Sequence, residues 1–117
     1  MSAEHKAFSS PDEVRELPLG QGEIVEIGGR EVGRYTLQPG WRWTTHLKEK
    51  VGTELCEAPH FQFHAAGILG VRMADGTELE IGPGEVSMLP PGHDAWVVGD
   101  EPVVVVDWGG AHVWAKG

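Results

Sequence analysis

The sequence predicts an all-β protein, either a sandwich or a barrel of short strands. Turn signals recur at intervals of roughly ten residues, a spacing typical of that class. Seventeen Gly and eight Pro are spread along the 117 residues without a period, which suits many tight turns between strands. No long segment shows the apolar spacing of an amphipathic helix.

The first half of the chain predicts one helical turn followed by three strands. The stretch "SSPDEVREL" at residues 9–17 combines Ser, Pro and acidic residues suited to a short helical turn. The stretch "GEIVEIGGREVGRYTL" reads as two strands joined at Gly28-Gly29, a dipeptide typical of tight hairpins. The stretch "PGWRWTTHLKEK" predicts a third strand, and residues 49–59 predict a loop.

The second half of the chain predicts strands separated by turns rich in Gly and Pro. These turns are expected at Asp75-Gly76, Gly82-Pro83-Gly84, Pro90-Pro91-Gly92 and Gly99-Asp100. We expect residues 1–20 to form an N-terminal segment that packs on the barrel or swaps over it. Residues 21–117 are expected to form a single domain.

Charge and cysteine content exclude several classes of function. The net charge of −9 argues against a nucleic-acid-binding surface and gives no attraction to anionic membranes. The apolar runs are too short to span a bilayer, and the start "MSAEHKAFSS" lacks the apolar region of a signal peptide. Because the chain contains a single cysteine, Cys56, no internal disulfide can form, and we expect a reducing, cytoplasmic environment.

Polar and aromatic residues alternate in "HFQFH" at residues 60–64. A strand sends every second side chain to the same face, so His60, Gln62 and His64 share one face and both Phe share the other. If the polar face is the interior, two histidines and an amide line a cavity.

The Gly and Pro skeleton resembles the cupin superfamily, whose members are double-stranded β-helix (jelly-roll) barrels. The cupin motifs are G-x5-H-x-H-x3,4-E-x6-G and G-x5-P-x-G-x2-H-x3-N. Here Gly40-x5-His46 is similar to the opening of the first motif, and His60-x6-Gly67 to its end with His in place of Glu. Gly84-x5-Pro90-x-Gly92 is similar to the opening of the second motif.

The resemblance implies a metal site inside the barrel, because cupins hold a divalent metal through the His and Glu residues of these motifs. The implied ligands are His46, His60 and His93, although His93 lies two residues before the usual position. Lys48 stands where cupins have the second His of the first motif. Glu54 or Cys56, in the predicted loop before His60, could complete the set.

The same alignment assigns inward and outward faces. It turns Arg42, Thr44 and Lys48 inward with His46, and it turns Gln62 and His64 inward with His60. The outward set then contains five aromatic residues: Trp41, Trp43, Phe61, Phe63 and Trp96. A patch of this kind is typical of an interface, so we expect a homodimer through the outer sheet. The alternative is that residues 1–20 cover these aromatic side chains.

Buried imidazoles need partners for both ring nitrogens, and a divalent ion satisfies several nitrogens together. Neutral imidazole suits Zn, Ni, Cu or Fe, and three His without a carboxylate favour Zn, Cu or Ni over Fe or Mn. The ammonium of Lys48 would repel such an ion unless it is neutral or paired. The alternative is a metal-free interior in which the histidines bind each other, Gln62 and water.

These residues support three hypotheses about function. The first is a metal-dependent cupin enzyme of dioxygenase, isomerase or lyase type, in which Lys48 and Gln62 act on a small polar substrate and Arg42, Thr44 and His64 line its pocket. The second is a non-catalytic barrel that binds a small molecule. The third is a metal-free isomerase or cyclase that uses Lys48 and pairs of histidines as acid and base.

Overall fold

The computed structural model describes residues 2–108, apart from the side chain of Lys50, so residues 109–117 of the expected domain lie outside the described residues. Within this range the chain forms nine strands and two helices of four residues each. They are β1 (Glu13–Leu17), β2 (Gly20–Ile27), β3 (Arg30–Leu37), α1 (Trp43–His46), α2 (Lys48–Val51), β4 (His60–Ala66), β5 (Ile68–Met73), β6 (Glu78–Ile81), β7 (Val86–Leu89), β8 (His93–Val98) and β9 (Val103–Asp107). Neither helix has the length and apolar character needed to cross a lipid bilayer.

The strands form two antiparallel sheets, so the all-β prediction is confirmed. The larger sheet has the order β1-β2-β3-β9-β4-β7, and the smaller sheet has the order β6-β5-β8. Because β9 lies between β3 and β4, strands from the first and second halves of the chain are joined in one sheet. This placement brings residues that are far apart in sequence to neighbouring positions on the inner face.

The turns lie where the Gly and Pro pattern predicts them. Gly28 and Gly29 have φ angles of +58° and +75°, and they connect β2 to β3 with Ile27 opposite Arg30. A two-residue hairpin of this type needs positive φ at both positions, which Gly adopts without a steric cost. Each of the four later predicted turns lies between two consecutive strands, from β5 to β9.

The hydrophobic core lies between the two sheets. The smaller sheet contributes Leu69, Val71, Ile81 and Val97, and the larger sheet contributes Ile24, Tyr35, Leu37, Leu89, Val103 and Val105. On β3, β8 and β9 these residues alternate with more exposed ones, as a two-layer arrangement of sheets requires.

The predicted strand over "PGWRWTTHLKEK" is wrong, because this segment forms α1 and α2. In a helix, residues four apart share a face, and Trp43 and Leu47 are both buried in this way. The carboxylate of Asp94 on β8 accepts hydrogen bonds from the Thr44 main-chain N–H (3.1 Å) and from Arg42 Nε (2.8 Å). A residue far along the chain therefore stabilises the helical turn.

The helical turn predicted for residues 9–17 is also wrong in its second half, where Glu13–Leu17 forms β1. This strand pairs with β2 along its whole length and buries Leu17 in the core. The buried guanidinium of Arg15 donates to Tyr35 Oη (3.1 Å) and pairs with Glu13 and Glu31. Pairing with β2 satisfies more main-chain groups than one isolated helical turn would.

The predicted outward set of five aromatic residues is only partly correct. Phe61 and Phe63 are exposed on the outer face of β4, but Trp41 and Trp43 are buried in the core. Trp96 is half-buried, and the guanidinium of Arg42 lies over its ring at 4.6 Å from the centroid. Because this segment forms α1 and not the expected strand, its side chains do not alternate between two faces as predicted.

Candidate metal centre

The polar face of β4 is the interior, as one reading of its alternation predicts. His60, Gln62 and His64 are all buried, whereas Phe61 and Phe63 are 60% and 37% exposed. A polar inner face is unusual in a core otherwise made of aliphatic and aromatic side chains. Each of its members therefore needs either an internal partner or a ligand.

A cluster of three metal-ligating side chains lies at one end of this face. Cys56, His60 and His93 are all buried, and each offers a ligand atom within 4.8 Å of the other two. Cys56 reaches this position because it forms a main-chain bridge with His93, in which Cys56 N donates to His93 O at 2.8 Å. His60 is the first residue of β4, and His93 is the first residue of β8.

Both imidazole rings are oriented through their Nδ1 atoms. His60 Nδ1 lies 2.5 Å from Asp107 Oδ2, and His93 Nδ1 lies 3.0 Å from the main-chain oxygen of Pro90. Because a carboxylate and a carbonyl only accept hydrogen bonds, Nδ1 carries the proton in each ring. In the neutral form of each ring, Nε2 then carries the lone pair that can bind a metal.

The charges of Cys56 and His60 are coupled. Burial alone would raise the pKa of the Cys56 thiol, but hydrogen bonds with His60 and His93 outweigh burial and lower this pKa to about 6. Burial likewise lowers the pKa of His60, yet the hydrogen bonds to Asp107 and Cys56 outweigh it and raise this pKa to about 9. The metal-free cluster therefore favours a thiolate beside an imidazolium, with His60 Nε2 at 3.8 Å from Cys56 Sγ.

The donor set fits a divalent transition metal. A thiolate and two imidazoles are the ligands that Zn, Cu, Ni and Fe accept, whereas Mg and Ca prefer oxygen ligands. Three protein ligands leave a coordination position for water or substrate, as in catalytic sites. Asp107 would support His60 from behind, in the carboxylate–histidine arrangement common around metals.

A cavity adjoins the cluster. Its walls include Tyr35, Trp41, Trp43, Gln62, Leu69, Leu89, Val105 and Asp107 in addition to the three candidate ligands. The space open to the centres of water-sized molecules is about 30 Å³. Such a volume holds roughly two or three water molecules, so only a small ligand or a small part of one can enter.

His46 does not join the cluster, although the family resemblance implies it as a ligand. It is half-buried at the end of α1, and its Nδ1 lies 3.1 Å from both the main-chain nitrogen and oxygen of Arg42. The helical turn holds its ring against its own segment. Cys56, one of the two loop residues left open as a further ligand, lies with His60 and His93 in its place.

The expected pocket residues other than Gln62 do not line the cavity. Lys48 pairs with Glu54 at 2.8 Å at the protein surface. Arg42 and Thr44 both contact the carboxylate of Asp94. His64 is buried farther along β4 and lies 2.8 Å from Ser87 through Nε2, and burial lowers its pKa.

Asp107 is a site residue that the sequence reasoning missed. It is fully buried at the end of "VVVVD", on the same face as Val103 and Val105. The signal was present in the sequence, because a strand of alternating period places residue 107 on the inner face with residues 103 and 105. An acidic residue at such a position needs a buried partner.

Together, the two facing antiparallel sheets and the buried thiol–imidazole cluster define a small β-barrel protein with a candidate metal centre. No protein-family model and no curated protein sequence matches the chain. Several solved structures do match it in three dimensions. One is a Rhizobium leguminosarum protein of unknown function, with a TM-score of 0.63 and 19% sequence identity over 92% of this chain and 95% of that one.

Two further matches are cupins by their descriptions. A cupin-like protein from Thermotoga maritima matches with a TM-score of 0.55 and 13% identity, over 84% of this chain and 72% of that one. A cupin-2 domain protein from Rhodospirillum rubrum matches with a TM-score of 0.56 and 14% identity, over 88% of this chain and 64% of that one. The chain is a small cupin-fold protein, and the predicted all-β jelly-roll architecture is confirmed.

Proposed function

We propose that this protein is a metal-dependent cupin that acts on a small organic molecule bound in the barrel cavity. Cys56, His60 and His93 would hold the divalent ion. The orientation of the two imidazoles carries the proposal, because acceptors hold both Nδ1 atoms and the remaining Nε2 lone pairs are the ones that can bind a metal. Buried rings fixed in this way, beside a thiol, are typical of a coordination sphere.

The cluster would favour Zn, Ni, Cu or Fe, because it combines one thiolate with two imidazoles. When bound, the ion would supply a Lewis acid that polarises an oxygen of the substrate. Asp107 keeps the Nδ1 proton on His60, and the apolar walls of the cavity limit the entry of water. Gln62 would hold a polar group of the substrate. Oxidation by dioxygen, isomerisation and elimination are the reaction types that such a centre can serve.

Elemental analysis of the purified protein after zinc loading and dialysis tests the proposal. The expected result is about one metal ion per chain in the wild type and a large loss in Cys56→Ser and His60→Ala. His46→Ala is the matched control, because it removes an imidazole outside the cluster and should keep the metal. Circular dichroism checks that each variant is folded. A folded His60→Ala variant that retains its metal would show that the ligand set is wrong.

Metal-free catalysis is the second candidate function. Asp107, His60 and Cys56 form a hydrogen-bonded series in which the carboxylate orients the imidazole and the imidazole contacts the thiol. The same order of groups serves nucleophilic cysteine catalysis. Wild-type protein that takes up no zinc, nickel, copper or iron, yet is alkylated at Cys56 by iodoacetamide faster at pH 7 than an unperturbed thiol, would favour this function.

We further propose that the protein is a homodimer through the outer face of β4 and β7. Phe61 lies opposite Met88 and Phe63 lies opposite Val86 in the register of these strands, and all four side chains are exposed. Among the described strands, β7 lies at the edge of the larger sheet, so the apolar face extends to the edge of that sheet. We also propose a cytoplasmic location, where the Cys56 thiol stays reduced.

A further inference from the structure

Two polar side chains in the cavity lack hydrogen-bond partners within the described part of the chain. The indole Nε1–H of Trp43 is buried and donates to no acceptor. The amide of Gln62, a residue only 5% exposed, takes part in none of the side-chain hydrogen bonds, although the residue lines the cavity. Buried polar groups are rarely left unpaired, so the indole N–H of Trp43 points to a ligand, and the Gln62 amide has no side-chain partner that would keep it from the same ligand.

The two groups belong to different elements of the cavity wall. Trp43 begins α1, which Asp94 of the smaller sheet holds in place, whereas Gln62 lies on β4 in register with Asp107 on β9. An indole N–H only donates, and an amide both donates and accepts. An oxygen acceptor on the ligand is the group that both side chains can bind together.

The charges of the cavity indicate that this oxygen belongs to a neutral group. With a divalent ion in place and both histidines neutral, the Cys56 thiolate and the Asp107 carboxylate cancel its two positive charges. No Lys or Arg is present among the residues that line the cavity. Arg15, which contacts Tyr35, already pairs with Glu13 and Glu31. A carboxylate would therefore bring a buried negative charge without a compensating partner, which is costly.

We infer that the cavity binds a small neutral carbonyl compound, whose oxygen accepts hydrogen bonds from Trp43 Nε1 and the Gln62 amide beside the metal. This inference rests on the proposed metal centre and names the ligand class of that site. Lys48 and Arg42, which the sequence predicts around the substrate, do not line the cavity. The limited volume of the cavity favours a compound whose carbonyl end is slender.

Formamide and formate form a matched pair for the test, because they have the same number of non-hydrogen atoms and differ in charge. The probe signal is the indole N–H of Trp43 in zinc-loaded, ¹⁵N-labelled protein, assigned among the five tryptophans by triple-resonance NMR. We expect formamide to shift this signal downfield in a saturable manner. Formate should bind at least about tenfold more weakly, because its charge is unpaired in the cavity.

Gln62→Leu, which retains a similar volume without the amide, should weaken formamide binding about fivefold or more. His46→Ala should leave formamide binding unchanged. Formate that binds as tightly as formamide, or a Gln62→Leu variant that binds formamide as the wild type does, would overturn the inference. Zinc content is measured on the same samples, so a zinc-loaded wild type that does not bind formamide overturns this inference alone. Absence of zinc from the wild type overturns the proposed metal centre instead.

Discussion

The imidazole of His60 and the carboxylate of Asp107 are joined across two neighbouring strands of the larger sheet, with Nδ1 and Oδ2 only 2.5 Å apart. The other oxygen of Asp107 lies 3.3 Å from the main-chain nitrogen of Phe61. The carboxylate is therefore fixed by the same strand that carries the imidazole. This contact determines which nitrogen of His60 is available to the cavity, and the first prediction follows from it.

We predict that Asp107→Asn weakens zinc binding by about 10- to 100-fold, the usual effect of removing a carboxylate behind a ligating histidine. The amide keeps the size of the side chain and can still accept from Nδ1, so the change isolates the negative charge. Competition with a chromophoric chelator measures the affinity. Asp100→Asn, in the exposed turn before β9, makes the same change of charge and should not alter it. Equal affinities of the two variants would contradict the prediction.

The pH dependence of stability in the metal-free protein is the second prediction. The pKa of Cys56 falls from 9.0 to about 6 on folding, so its contribution to the free energy of unfolding grows as the pH rises through that range. The pKa of His60 rises from 6.5 to about 9, so its contribution is complete below pH 6.5 and is lost towards pH 9. As the pH rises from 6.5 to about 9, the contribution of Cys56 to the free energy of unfolding increases and that of His60 decreases. The two changes therefore nearly cancel.

In the Cys56→Ser variant, only His60 still contributes to this pH dependence of stability, because Asp107 still holds its imidazolium. We therefore expect the free energy of unfolding of this variant to fall as the pH rises above 6.5, because the hydrogen bond to Asp107 still raises the pKa of His60. Wild-type protein should show little change over the same range. Urea denaturation in the presence of EDTA measures both. Parallel pH profiles for the two proteins would refute the coupling of Cys56 to His60.

The third prediction concerns Asp94, which is buried and holds the start of α1. Asp94→Ala removes the acceptor of the Thr44 N–H and of Arg42 Nε, so we expect a loss of about 1–3 kcal/mol in the free energy of unfolding. Asp75→Ala is the control, because Asp75 accepts only a local hydrogen bond from Thr77 N in an exposed turn. Urea denaturation compares the two variants. A larger loss in the free energy of unfolding of Asp75→Ala would contradict the prediction that Asp94 stabilises the start of α1.

The fourth prediction concerns the exposed apolar face of β4 and β7. If two copies bury this face, a Phe61→Ser, Met88→Ser double variant should sediment as a monomer at concentrations where the wild type is a dimer. Val14→Ser removes an exposed apolar side chain on β1, at the opposite edge of the larger sheet, and should leave the dimer intact. Analytical ultracentrifugation makes the measurement. A monomeric wild type would exclude this interface.

The sequence alone predicts the parts of the fold that depend on neighbouring residues. The inward face of β4 follows from the alternation of His60, Gln62 and His64 with two Phe, because a strand has a period of two. The turn at Gly28-Gly29 follows from the conformational freedom of Gly. These features depend on local backbone geometry, so a single sequence is enough to predict them.

Tertiary structure decided which residues meet in the site. The segment from Trp41 to Leu47 is compatible with a strand or with a helix, and contacts with Asp94 on β8 select the helix, which holds His46 away from the cluster. The bridge to His93 brings Cys56 to His60, and the position of β9 beside β4 brings Asp107 to the same imidazole. Each of these contacts joins residues far apart in the chain. No local periodicity encodes them, so they form only when the two sheets pack.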